Sequence, residues 1–265
     1  MEGFKLAANG AYGKSNEESS FLYDPQYTMK TTLNGQLLLT MLFEEIYTNS
    51  KSILLQGNTD GLSFKVLRSE LDKVLEICQN WEKKTKLMLE YSYYKMMAIR
   101  DVSTYLAVYE NGDIKHKNAF EIDKEIYKNP SMRIVPIALE KYFIDNIPVA
   151  DTIKNHRDIL DFCLMTRCTK QFDPYYHAIE KGQIIKRKLS KTVRYFASKK
   201  GGFLFKKEVN TGKLTGILIG QTITLFNKKY DVPFEEYNID YSFYIKECNK
   251  IIEAIVPSTE QLSLF

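Results

Sequence analysis

Cysteine is scarce in this chain, with 4 in 265 residues. Cys78, Cys163, Cys168 and Cys248 form no C-x-x-C pair, and the 3 histidines, His116, His156 and His177, are scattered. That spacing argues against a structural zinc module and predicts reduced, mostly buried thiols. Proline (7) and glycine (13) are also few, which argues against disorder and against a loop-rich secreted scaffold. No apolar run approaches the roughly 20 residues of a membrane span. The opening stretch Met1–Gly10 contains Lys5 and Asn9 and has no apolar core of a secretory signal. The expectation is a cytoplasmic protein with no membrane partner.

What is present is ordinary in bulk and informative in detail. The apolar fraction is 44% and the charged fraction 26%, enough for one sizeable core or two modest ones. Tyrosine (18) and phenylalanine (15) are plentiful. A net charge of +4 is too mild to establish nucleic-acid binding, so local clustering has to carry that case.

Periodicity predicts a helix over Gly3–Lys14 and a long amphipathic one over Met29–Tyr47, with Leu33, Leu37, Leu38, Met41, Leu42 and Ile46 at helical spacing. Two short apolar runs, Ser52–Leu55 and Leu62–Val66, flank the turn formers Gly57-Asn58-Thr59-Asp60-Gly61 and predict a β-hairpin. Ser69–Lys84 follows as a helix, then strands at Lys86–Tyr91 and Thr104–Tyr109, the latter closing on Asn111-Gly112. Past Asn129 the texture predicts helices at Ile134–Ile144, Asp151–Cys163 and Tyr241–Ile255 around a lysine-rich stretch, Lys181–Lys207. The expected class is α+β, an antiparallel sheet with helices followed by a mainly helical second half.

Asp60 is the most informative residue. A carboxylate at a hairpin tip is held rigidly at a sheet edge, which suits a divalent ion that also holds a substrate phosphate. Asn-Thr-Asp-Gly is equally good turn chemistry on its own. In the opening segment Lys5, Asn9 and Tyr12 fall near one helix face, at i, i+4 and i+7. A lysine and an amide there could hold a triphosphate and a tyrosine could press on a base pair; the same spacing also describes a surface helix with one aromatic packed inward.

Together these segments resemble motifs B and C of the phage-type family B DNA polymerases. Motif B reads K-x-x-x-N-S-x-Y-G, and Lys5, Asn9, Tyr12 and Gly13 keep its register, with Gly10 in place of the serine. Motif C reads Y-x-D-T-D-S, and Gln56-Gly57-Asn58-Thr59-Asp60-Gly61 stands in its place, with Asn58 replacing the first aspartate. Between them Thr32–Leu38 is similar to the helix linking fingers to palm. Tyr105, followed by Lys115 and Lys117, resembles the K-x-Y region that holds primer and template. Asn129–Ile153 resembles the start of a thumb.

The resemblance implies a carboxy-terminal polymerase portion. Residues 1–50 would be the end of the fingers and a connecting palm helix, 51–128 palm, 129–256 a mainly helical thumb, and 257–265 a tail. It implies an enzyme, a DNA-directed nucleotidyltransferase acting in DNA replication in a phage host's cytoplasm. Asp60 would be the catalytic metal ligand, and Lys5, Asn9, Tyr12 and Gly13 would bind the nucleotide. Primer-template DNA would lie on Tyr105, Lys115 and Lys117.

Two-metal transfer needs Mg2+ ions about 3.5–4 Å apart, bridged by carboxylates from separate strands. The family's other carboxylate comes from motif A, D-x-x-S-L-Y-P, ahead of motif B. Leu22-Tyr23-Asp24-Pro25 lies on the wrong side of motif B and reads as a turn. Motif A is therefore expected from a second polypeptide or a missing segment.

The basic stretch includes Lys186, Arg187, Lys191 and Arg194 among aromatics. It suits salt-sensitive phosphate contacts in a thumb, or else a solvated face. The tail Gln261-Leu262-Ser263-Leu264-Phe265 resembles a bacterial sliding-clamp motif, implying clamp docking through Gln261, Leu262, Leu264 and Phe265. The alternative function is a non-catalytic DNA- and clamp-binding remnant.

Overall fold

The computed structural model describes residues 2–122, 131–180, 182–226 and 232–256. The chain divides into two units, Met1–Ser92 and Tyr93–Phe265.

In the first unit, α1 (Glu2–Ser15) turns into α2 (Pro25–Asn49). Pro25 starts α2 because its missing N–H is no loss in the first turn. Asp24 caps it, accepting from the Tyr27 backbone N–H at 3.0 Å. Hydroxyls fix the corner: buried Ser15 donates to the Tyr12 carbonyl at 2.6 Å, and its Oγ lies 2.7 Å from Thr28 Oγ1. The hairpin β1 (Ile53–Gly57) and β2 (Leu62–Lys65) follows, then one 3-10 turn and α3 (Leu71–Thr85). Val74, Cys78 and Trp81 recur at helical spacing along α3 and bury against Leu42 and Ile46 of α2. The Trp81 indole N–H donates to the Leu38 carbonyl at 2.9 Å, which satisfies its one polar atom.

The second unit opens with β3 (Tyr94–Asp101), β4 (Thr104–Tyr109) and β5 (Ile114–His116), an antiparallel sheet in that order. Helices α4 (Ile134–Asp145), α5 (Val149–Asn155) and α6 (Ile159–Phe162) come next. Then β6 (Leu164–Arg167), β7 (Phe172–Glu180), β8 (Gln183–Lys188), β9 (Thr192–Glu208), β10 (Leu214–Ile217) and β11 (Ile223–Leu225) build a six-stranded sheet, and α7 (Tyr241–Ile255) closes the order. One core joins both sheets to α4, α5 and α7. Fully buried Tyr244 of α7 donates to the Phe162 carbonyl at 2.7 Å and accepts from the Ala197 N–H at 2.9 Å. Burial holds its phenol far above the usual range.

Strand β9 serves two sets of partners. Residues 192–197 pair with β6 and β11, and 203–208 pair with β7 and β10. The change falls at Gly201-Gly202. Gly201 has φ +129°, and a Cβ on Gly202 would sit 2.2 Å from the His177 carbonyl oxygen. Only glycine permits that approach.

The α+β class holds, but the expectation of a mainly helical second half does not. Helices occupy Ile134–Phe162 in three pieces and Tyr241–Ile255, while strands fill most of 164–225. Alternation of outward lysines with inward apolar residues is a period-2 signal that the run of basic charge hides. The expected strand at Lys86–Tyr91 is irregular chain; the strand is Tyr94–Asp101. Lys86 takes a left-handed φ of 61° to end α3, and that geometry breaks an extended run. Among the described residues no helix is long and apolar enough to cross a membrane.

Candidate functional site

Asp60 sits in the turn of the β1–β2 hairpin. Gly57 pairs with Leu62, and the Asn58 N–H donates to the Gly61 carbonyl at 3.0 Å. The Asn58 side chain accepts from the Asp60 N–H at 3.2 Å, a side-chain turn that fixes the backbone of Asp60. The Asp60 carboxylate is exposed and has no hydrogen-bond or ion-pair partner among the described residues. Its hard oxygens suit Mg2+, which is usually held by one or two carboxylates together with substrate phosphate and water. No cluster of three or more His, Cys, Asp or Glu surrounds it among the described residues. Asn58 is engaged in the turn through the same oxygen that an aspartate there would use.

Helix α1 carries the nucleotide-binding candidates. Asn9 is exposed, and a Cβ on Gly13 would meet open space. The side chain of Lys5 lies outside the described residues. Tyr12 is 37% exposed, and its hydroxyl lies 2.7 Å from Thr32 Oγ1 of α2. The tyrosine is thereby pinned to the α1–α2 corner with part of its ring open.

Tyr105, Lys115 and Lys117 belong to the second unit. Tyr105 lies in the buried strand β4, and Lys115 on β5 holds its ammonium 5.9 Å from the Tyr105 ring centre and 3.4 Å from the Tyr94 hydroxyl. Partial burial opposes the charge on Lys115, but the Tyr105 and Tyr94 hydroxyls outweigh it and raise its pKa above the ordinary lysine value. Lys117 is exposed. His116 between them pairs with Glu140, tying β5 to α4.

The structure separates the basic stretch by face. Lys186 lies opposite His177 on the outward face of β8, whereas Arg187 lies opposite Tyr176 on the other face. Lys191 reaches back to Asp173 at 2.9 Å, beside Lys188 at 2.6 Å. These two lysines hold the Asp173 carboxyl below the usual carboxylate range. Arg194 sits on the other half of β9, opposite Met165. The sequence shows Phe203 and Phe205 within the basic stretch, but Tyr175 and His177, which pair with them across the sheet, were passed over; their spacing of two was the available signal. The tail residues Gln261, Leu262, Leu264 and Phe265 lie outside the described residues.

No family model and no curated protein matches this sequence.

Proposed function

We propose that this chain is the carboxy-terminal portion of a template-directed DNA polymerase, joining a nucleotide to a primer 3′-hydroxyl with release of pyrophosphate. The observation that carries the reading is the hairpin: a carboxylate, Asp60, with no partner among the described residues, in a side-chain-locked turn that follows the Lys5–Gly13 string in motif order.

In this reading Asp60 holds Mg2+, with Lys5 and Asn9 of α1 on the triphosphate and Tyr12 against the nascent base pair. A bound divalent ion supplies charge neutralisation as the α-phosphate is attacked. Lys115 and Lys117 grip primer-template DNA, with buried Tyr105 positioning Lys115, and the six-stranded sheet adds phosphate contacts that weaken with salt. The second carboxylate belongs to motif A on another segment or polypeptide. The tail Gln261–Phe265 docks a bacterial-type sliding clamp.

Primer extension tests this reading. The chain supplemented with a motif A segment is expected to extend a primer with Mg2+ and nucleotides, and Asp60→Ala to reduce incorporation at least about a hundredfold. Unchanged incorporation by Asp60→Ala overturns it. Robust synthesis by the unsupplemented chain removes the need for a second segment.

One observation favours a second reading, a DNA- and clamp-binding remnant without catalysis: Asn58 contributes an amide, engaged in the turn, where motif C has a charge. That reading expects duplex binding with no incorporation even after supplementation.

A further inference from the structure

Residues paired across an antiparallel sheet share a face. The register therefore sets Tyr175 with Lys188 and Phe205, His177 with Lys186 and Phe203, and Asp173 with Lys207 on one surface of β7, β8 and β9. The opposite surface gives Tyr176, Ala178 and Leu204 to the core. The first surface faces outward: Phe203 is 43% exposed, and Ile179 and Ile184 at its end are 73% and 70% exposed. The His177 and Phe205 rings lie 4.5 Å apart, and the Lys207 ammonium stands 5.8 Å from the Tyr175 ring. Charge on this surface is one-sided. Lys186, Lys188, Lys191 and Lys207 face a single described carboxylate, Asp173, which pairs with Lys188 and Lys191. A sheet face that meets only water is commonly polar, and one built only to repel other proteins would have no use for four rings.

We propose that this face binds single-stranded nucleic acid, with unpaired bases laid on Phe203, Phe205, His177 and Tyr175 and phosphates held by Lys186, Lys188 and Lys207. Stacking on aromatic rings amid cations is the chemistry that captures unpaired strands without regard to sequence. Spacing favours an unstacked strand over a duplex. Phe203 and Phe205, two residues apart along β9, stand about 6.7 Å from one another, roughly twice the 3.4 Å rise between stacked bases. Bases resting on both rings are necessarily splayed, and bases inside a duplex already have neighbours on each side. The inference rests on the second unit alone and requires no polymerase activity, so it survives the failure of the proposal built on Asp60.

Fluorescence anisotropy of the full chain with a labelled oligothymidylate, an oligouridylate and a duplex of matching length tests it. Phe203→Ala is expected to weaken oligothymidylate binding about tenfold and Phe203→Tyr to retain it, with duplex affinity changed less than about twofold. Lys186→Gln is expected to lower the slope of log affinity against log salt by about one. Equal affinity for thymidylate and uridylate supports recognition of bases and phosphates irrespective of sugar. A preference for either strand supports the same surface with one sugar selected. No binding by the unaltered chain, an unchanged affinity in Phe203→Ala, or equal losses on single strand and duplex overturns the proposal. Should Phe203→Ala alter the circular dichroism, photo-crosslinking iodouracil-substituted oligonucleotide to the unaltered chain decides. Adducts on Tyr175, His177, Phe203 or Phe205 support it, and adducts only elsewhere overturn it.

Discussion

At the scale of single residues, burial decides which polar groups stay inert. Cys163 and Cys248 sit in the core of the second unit, and desolvation pushes each thiol up to about 12. Cys78 is likewise buried and raised, first by desolvation. The thiolate is the reactive form, so these three remain protonated and shielded near pH 8. Cys168 is only partly buried; desolvation raises it too, with Lys191 and Lys206 pulling the other way. Titration with a thiol reagent at pH 8 is expected to label Cys168 first, and the remaining thiols only on addition of denaturant. Rapid labelling of more than one thiol in the native chain would contradict this packing.

At the scale of elements, β9 is the member on which the second unit turns. Seventeen residues long, it joins β6 and β11 to β7 and β10, and Gly201-Gly202 lets it change partners. Gly202→Ala places a methyl group 2.2 Å from the His177 carbonyl and 2.8 Å from the Tyr176 ring, a clash that only strand separation relieves. The expected cost is about 3 kcal/mol, the upper end for overpacking, measured as a lowered urea midpoint. A shift below about 0.5 kcal/mol would mean that the strand can slide there. On the outward face of the same sheet Asp173 of β7 offsets part of the lysine charge. In the first unit the element of consequence is the hairpin, a two-stranded sheet that is marginal by itself and carries exposed Ile53, Leu54 and Leu55.

At the scale of the whole molecule, the first unit leaves more apolar surface uncovered than scattered surface residues explain. Phe21 is 96% exposed, Met88 93% and Phe4 86%, and Leu33 and Leu37 of α2 are also exposed. Surfaces of this kind mark interaction sites or aggregation hazards. The isolated chain is expected to enhance the fluorescence of a hydrophobic dye severalfold. On the proposed polymerase reading, addition of a motif A segment should reduce that signal, and dye fluorescence that does not fall on that addition would separate the apolar surface from the proposed second carboxylate.

Local grammar in the sequence determined the elements whose signals are short-range. The hairpin at Asp60, the helices over Met29–Tyr47 and Ile134–Ile144, the Thr104–Tyr109 strand and the terminal helix from Tyr241 all follow from caps, turn formers and apolar period. Lys186 and Arg187 are adjacent in the chain, yet only the pairing of β8 with β7 sends them to opposite faces. The aromatic and lysine surface was likewise decided by tertiary structure, because Tyr175 meets Phe205 only through a strand register spanning 30 residues. Side-chain alternation is local, whereas the partner across the sheet is set by core packing, and it is the partner that turns a basic run into a binding face.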